Sequence, residues 1–252
     1  MLKIRPEQIE FFEAAALKRF EDRMVEHLRE FSPKHAQVLD EEQLRAVVRY
    51  AIERAESHGL TSERSIRIYT ETMLMLGGNF DVDPQYPWAG EILSRTEEDH
   101  VKRIDGIFEK AWDYADHVLA DFNRLEQEPH KALLMDELGT LRKGSSEPLA
   151  APGMSRFYEG TITRLDKLFP EKCKYLGELS LRRLINRGLE LASSYGFSSE
   201  RDVSIFVVMM FVLGTGFDKD PLLPWASKIL MDGQGTDRLY AEAIGVLQRW
   251  WA

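Results

Sequence analysis

A chain of 252 residues, 44% hydrophobic and 30% charged, has a globular rather than a disordered composition and is long enough to bury a core without metals or disulfides. Its net charge of −9 argues against sequence-independent nucleic-acid binding, which depends on neutralising phosphates. A single cysteine, Cys173, no secretory-signal pattern in the opening residues and no uncharged apolar run of spanning length together imply a cytoplasmic setting without membrane contact.

The first periodic segment, 6–31, reads as a helix stopped near Pro33. In a second, 41–58, Leu44, Val47, Val48, Ala51, Ile52 and Ala55 have the spacing of one buried helical face. Gly59 follows where a left-handed cap is wanted. A third helix opens at Ser62, whose hydroxyl can accept first-turn amides, and closes at Leu76-Gly77. The loop Phe80-Asp81-Val82-Asp83-Pro84 leads through Pro87-Trp88 into a short helix, then a long one over 97–123. Residues 127–153 hold a short helix (131–142) and a polar linker.

From about residue 154 the series restarts. Helices at 154–168 and 179–195 precede Gly196, a helix opening at Ser199 and closing at Leu213-Gly214, the loop Phe217-Asp218-Lys219-Asp220-Pro221 with Trp225, and a final helix over 236–251. No segment reads as a strand. Residues 59–93 align without a gap on residues 196–230, 137 positions later, and 17 of the 35 pairs are identical. The same offset pairs Phe20 with Phe157, Leu28 with Leu165, Pro33 with Pro170 and Leu44 with Leu181. The sequence therefore predicts an all-α protein made by tandem duplication of a multi-helix module: 1–126 the first module, 127–153 a linker with a short helix, and 154–252 the second.

The copies differ most in their third helices. Residues 205–213 are apolar on every side, whereas Thr70, Glu71 and Thr72 replace Val207, Val208 and Met209. One face of the first copy's helix is thus expected to meet water or a polar surface.

The repeated FDxDPxxPWA loop is the most distinctive motif. Its aspartates, Asp81 and Asp83 in one copy and Asp218 and Asp220 in the other, supply too few oxygens for calcium. They are expected to cap turn amides while Phe80, Phe217, Trp88 and Trp225 staple each loop to its own module, with the tryptophans largely buried. Arg64 and Arg201 are expected to pair with these aspartates. All six histidines precede the second module, so they belong to no shared site. Glu97-x-x-His100 has di-iron spacing but occurs once, where such a site needs it twice. Along the long helix of the first copy, Glu109, Asp113, Asp116, His117 and Asp121 form an acidic ridge, read as a solvated face or a docking stripe for a basic partner. With no phosphate loop, nucleophile elbow, zinc-ligand pair or helical HExxH, no catalytic, cofactor or metal residue is assigned and a non-enzymatic role is expected, the alternative being an enzyme with an unrecognised helical active site.

The combination GLTSER, MLxLGxxFDxDPxxPWAxxIL of the first copy, matched in the second by GFSSER, MFVLGxxFDxDPxxPWAxxIL, resembles a group of small bacterial helical proteins associated with type VI secretion and related toxin-delivery gene clusters. The likeness covers residues 40–95 and 178–231, and it implies an accessory that binds a secreted effector or toxin, as an immunity protein or as a loading adaptor or chaperone. The acidic ridge and Glu71 are the residues expected to meet that partner, because there the copies diverge in polarity.

Overall fold

The computed structural model describes residues 5–125, 127–150 and 153–251. The side chains of Trp250 and Trp251, which end the second copy's last helix, lie outside the described residues. Regular structure among the described residues is helical, with one isolated antiparallel bridge between Pro148 and Ser199. The first half contains α1 (Pro6–Phe31), α2 (Pro33–Ala36), α3 (Glu41–Ser57), α4 (Glu63–Leu76), α5 (Pro87–Leu93) and α6 (His100–Leu125). After α7 (Glu128–Arg142) come α8 (Met154–Leu168), α9 (Pro170–Ser194), α10 (Glu200–Leu213), α11 (Pro224–Met231) and α12 (Gly235–Trp251). No helix is long and apolar enough to cross a membrane among the described residues.

Local chemistry sets the boundaries, and it recurs at the 137-residue offset. Ser62 accepts a hydrogen bond from the Ser65 amide and Ser199 one from the Asp202 amide, each at 3.1 Å, which fixes the starts of α4 and α10. Gly59 and Gly196 follow α3 and α9 at φ +70° and +80°. There the Leu60 and Phe197 amides close back onto the Ala55 and Ala192 carbonyls at 3.0 and 2.9 Å. The second copy's helix, expected from 179, instead begins at Pro170 and is broken at Gly177 (φ +71°). Gly177 matches Asp40, the N-cap of α3, so the break falls where the first half separates α2 from α3.

The core centres on α4 and α10. Every residue of α10 from Val203 to Phe211 is buried. The polar triplet of α4 is buried too, contrary to the expectation that it meets water: Thr70 and Thr72 return their hydroxyls to the Ile66 and Ile68 carbonyls at 2.7 and 2.9 Å. Satisfied this way, a threonine needs no outside partner. Residues 127–153 are more than a linker, because α7 buries Leu134, Leu138 and Leu141 against α6, α8 and α10.

Candidate interaction surface and the junction between the halves

The repeated loops meet each other. Asp83 Oδ2 accepts the Thr215 amide of the second half at 2.8 Å, and Asp220 Oδ2 accepts the Gly78 amide of the first at 2.6 Å. These bonds are equivalent under the 137-residue offset, so the junction is isologous, like a two-fold dimer contact inside one chain. Each aspartate also holds its own loop, Asp83 Oδ1 accepting from Gln85 N (2.8 Å) and Asp220 Oδ1 from Leu222 N (2.9 Å). Burial pushes both carboxyls upward, that of Asp220 to about 6.

Neighbouring residues are shaped to let the halves approach. Gly77 and Gly214 have φ +100° and +94° with extended ψ, a conformation essentially confined to glycine. A Cβ on Gly77 would stand 2.7 Å from the Leu213 carbonyl oxygen. Gly78 faces the Asp220 carboxylate, and the Asn79 side chain fills the space where one on its equivalent, Gly216, would lie. Sequence differences beside the motif are therefore complementary across the junction.

The first aspartate of each loop has a different task. Asp81 accepts from Arg54 and lies 2.7 Å from His58 Nε2, while Asp218 accepts the Tyr195 hydroxyl at 2.9 Å. His58 and Tyr195 occupy equivalent positions, so each ties its loop to the end of the preceding helix. Burial opposes ionisation of Asp81, but the His58 and Arg54 contacts hold its carboxyl below the usual range. The arginines expected as partners are elsewhere: Arg64 pairs with Asp105 at 2.6 Å, and Arg201 with Asp202 at 3.1 Å and Asp237 at 3.7 Å. At the first turn of α4 and α10 they lie at the opposite end of those helices from the loops. The sequence offered a signal for the true partners, two hydrogen-bonding side chains at matching positions 58 and 195.

Phe80 and Phe217 are fully buried, as expected of staples. Trp88 and Trp225 are only partly buried, and Trp225 lines a shallow cleft with Val38 and Leu39 of the first half. It therefore does not serve its own module alone.

Beside the junction lies a cavity of about 140 Å³ lined by Lys172, His35, Tyr86, Tyr114 and Asp220 among leucine and methionine side chains. The Lys172 ammonium donates to the Phe211 carbonyl in the last turn of α10 and lies 4.3 Å from the Phe211 ring centroid. Burial lowers the Lys172 amine to about 8 and the His35 imidazole to about 4. Small-molecule pockets usually span about 300–1,000 Å³, and the lysine has a structural role in closing a helix end. Cys173 beside it is buried, and its thiol is pushed up to about 12. Among the described residues no group of three or more His, Cys, Asp and Glu side chains is placed to hold a metal.

The acidic ridge of α6 is partly dispersed. Glu109, Asp113, Asp116 and His117 are exposed, and Asp113 accepts the Tyr175 hydroxyl at 3.1 Å. Asp121 is buried, accepting the Lys172 amide at 2.7 Å and Arg124 at 2.5 Å, so it caps the start of α9 and is unavailable to a partner. Glu71 is also buried, 2.6 Å from His27 and 3.3 Å from Arg67. Alongside the remaining carboxylates the structure adds a feature the sequence reading missed. Phe108 and Trp112 stack at 5.9 Å with their rings 21° apart, and they are 42% and 56% exposed. Their i, i+4 spacing on a solvent-facing stripe was the available signal.

Among protein-family models, curated proteins and solved structures, none matches this chain.

Proposed function

We propose that this chain is a tandemly duplicated helical module serving as a non-enzymatic protein-binding accessory, an effector-binding protein of the immunity type that acts in the cytoplasm on a basic partner. The observation that carries this reading is the exposed Phe108–Trp112 stack flanked by Glu109, Asp113 and Asp116. A rigid aromatic pair is the kind of anchor that dominates protein interfaces, and a partner's arginine or lysine can lie over the indole face. The carboxylates around it steer such a partner and oppose acidic competitors. Duplication is supported by the repeated caps, glycine conformations and reciprocal aspartate bonds, and it frees one half to bind while the other keeps the original packing. The immunity reading is preferred to a loading adaptor because the exposed aromatic pair of α6 stands among carboxylates, a surface suited to steering a basic toxin.

The test is affinity capture from the source cells, identification of the bound protein, and its purification. The purified partner should bind a Phe108→Ala, Trp112→Ala double variant at least about a hundredfold more weakly than the parent chain. Equal affinity for a folded double variant would remove α6 as the binding face.

A further inference from the structure

Between α1 and α4 the first half leaves open a cleft of about 470 Å³, a volume usual for small-molecule sites. Phe20 and Met24, both buried, form its floor. Three guanidiniums line it, those of Arg23, Arg64 and Arg67, against one carboxylate, Glu63. In a chain of net charge −9 this is a local excess of positive charge. At physiological salt the local excess governs binding, because exposed charges more than about 8 Å away are largely screened. The 137-residue offset sets Gly160 against Arg23 and Ser204 against Arg67. The corresponding helices of the second half, α8 and α10, thus form without either cation, and α7 packs against both of them.

The arginines are held in place without being used up. Arg23 lies 5.8 Å from the Phe20 ring centroid and reaches Glu63 at 2.7 Å through one terminal nitrogen. Arg64 reaches Asp105 at 2.6 Å in the same way, and Arg67 reaches Glu71 at 3.3 Å through Nε. Glu71 is buried and also lies 2.6 Å from Nε2 of His27, which lines the cleft from α1. One carboxylate therefore fixes a side chain on each wall. A guanidinium has five N–H donors, and each of these contacts engages one nitrogen. With the three side chains 55–56% exposed, further donors face the cleft. A single added carboxylate would only repeat what Glu63 and Glu71 already supply. A phosphate brings up to about two negative charges and three strong acceptor oxygens. A diphosphate extends that array across both walls, where planar guanidinium forks match its oxygens.

We propose that the α1–α4 cleft binds a small diphosphate, free or as part of a nucleotide, with Arg23 donating from one wall and Arg64 and Arg67 from the other. Glu71 and Phe20 position the arginines and do not touch the ligand. The site uses none of Phe108, Glu109, Trp112, Asp113 and Asp116, so it stands apart from the protein-binding face of α6.

Isothermal titration calorimetry of the full chain with inorganic pyrophosphate tests this, with ADP and sulfate as parallel titrants. Pyrophosphate should bind saturably with a Kd on the order of 10–1,000 µM. ADP binding more tightly than pyrophosphate identifies a nucleotide as the source of the diphosphate; ADP binding no more tightly identifies the free diphosphate. Amide shifts in NMR spectra on adding pyrophosphate should cluster at residues 20–27 and 63–71. An Arg23→Gln, Arg67→Gln double variant, shown to be folded by circular dichroism, should bind at least about tenfold more weakly. Arg29→Gln, on α1 outside the cleft, should bind as the parent does. The Phe108→Ala, Trp112→Ala variant should also keep its affinity for pyrophosphate, so failure of the α6 reading leaves this site untouched. No saturable binding below about 10 mM, shifts centred elsewhere on the chain, or undiminished affinity in the folded arginine variant would overturn the proposal. So would sulfate binding as tightly as pyrophosphate, which would mean an adventitious ion only.

Discussion

Asp83 and Asp220 stand 137 residues apart, and each accepts a backbone amide from the other's half, at 2.8 and 2.6 Å. Main-chain amides and, for Asp83, the Gln85 side-chain amide at 3.3 Å satisfy them. Removing either carboxylate strands two main-chain amides, so Asp83→Ala and Asp220→Ala should each destabilise the chain by about 2–4 kcal/mol in denaturant unfolding. Because both bonds cross one junction, the double variant should fall short of the sum by about 0.5–2 kcal/mol. Strict additivity would mean that the two bonds act independently.

The same pair sets a pH dependence. Burial raises Asp220 to about 6 in the folded chain, against an ordinary carboxylate value of about 4 when unfolded. The folded state therefore holds its proton to higher pH than the unfolded state does. The contribution of Asp220 is most favourable below about pH 4 and declines until about pH 6, then stays flat. Asp83 is raised by burial in the same sense. The stability of the parent chain relative to Asp220→Asn should accordingly shrink as pH rises across that window. A constant difference between the two proteins from pH 4 to 6.5 would contradict it.

The glycines of the junction should be ranked by what a side chain would meet. Gly77→Ala combines a positive φ with a Cβ 2.7 Å from the Leu213 carbonyl oxygen and should cost more than about 3 kcal/mol. Gly196→Ala has a left-handed φ but open space around it and should cost about 1–2 kcal/mol. Urea unfolding of the two variants gives the comparison directly; equal costs would show that the halves can move apart at Gly77.

On α6, exposure separates binding from folding. Phe108→Ala with Trp112→Ala should change stability by less than about 1 kcal/mol, since neither ring is buried. Charge reversal of Glu109, Asp113 and Asp116 should slow association with the captured partner at low salt, and the effect should fade as the screening length falls below about 10 Å. Asp121 is left out of that set, because reversing it would uncap α9. Association rates identical to the parent at low ionic strength would show that these carboxylates do not steer the partner.

Cys173 reports on the same core. Its thiol is buried and pushed up to about 12, so a disulfide reagent at pH 8 should label the native chain at least about a hundredfold more slowly than the denatured one. Labelling should follow the unfolding curve across a denaturant titration. Rapid native labelling would mean that the region around Lys172 opens locally.

Much of the fold was legible because its causes are local. Serine caps at 62 and 199, glycine stops at 59, 77, 196 and 214, and apolar spacing in α3 act within a few residues, so periodicity and turn chemistry reveal them. The repeat itself is a property of the sequence, and it marked Asp81, Asp83, Asp218 and Asp220 as structural before any contact was seen. Which atoms those aspartates reach was decided only in three dimensions. Asp83 and Asp220 act across 132 and 142 residues, a separation no local pattern encodes. Asp121 looked like part of a solvated ridge because it follows His117 by one turn of α6, yet the packing of α9 against α6 buries it. Glu71 and its threonine neighbours looked exposed because polarity was read as a sign of water, whereas back-bonding hydroxyls and the His27 and Arg67 contacts satisfy them inside. Sequence determines which residues can form a helix and which face is apolar; only the assembled helices decide which polar groups find partners and which apolar ones, like Phe108 and Trp112, stay exposed.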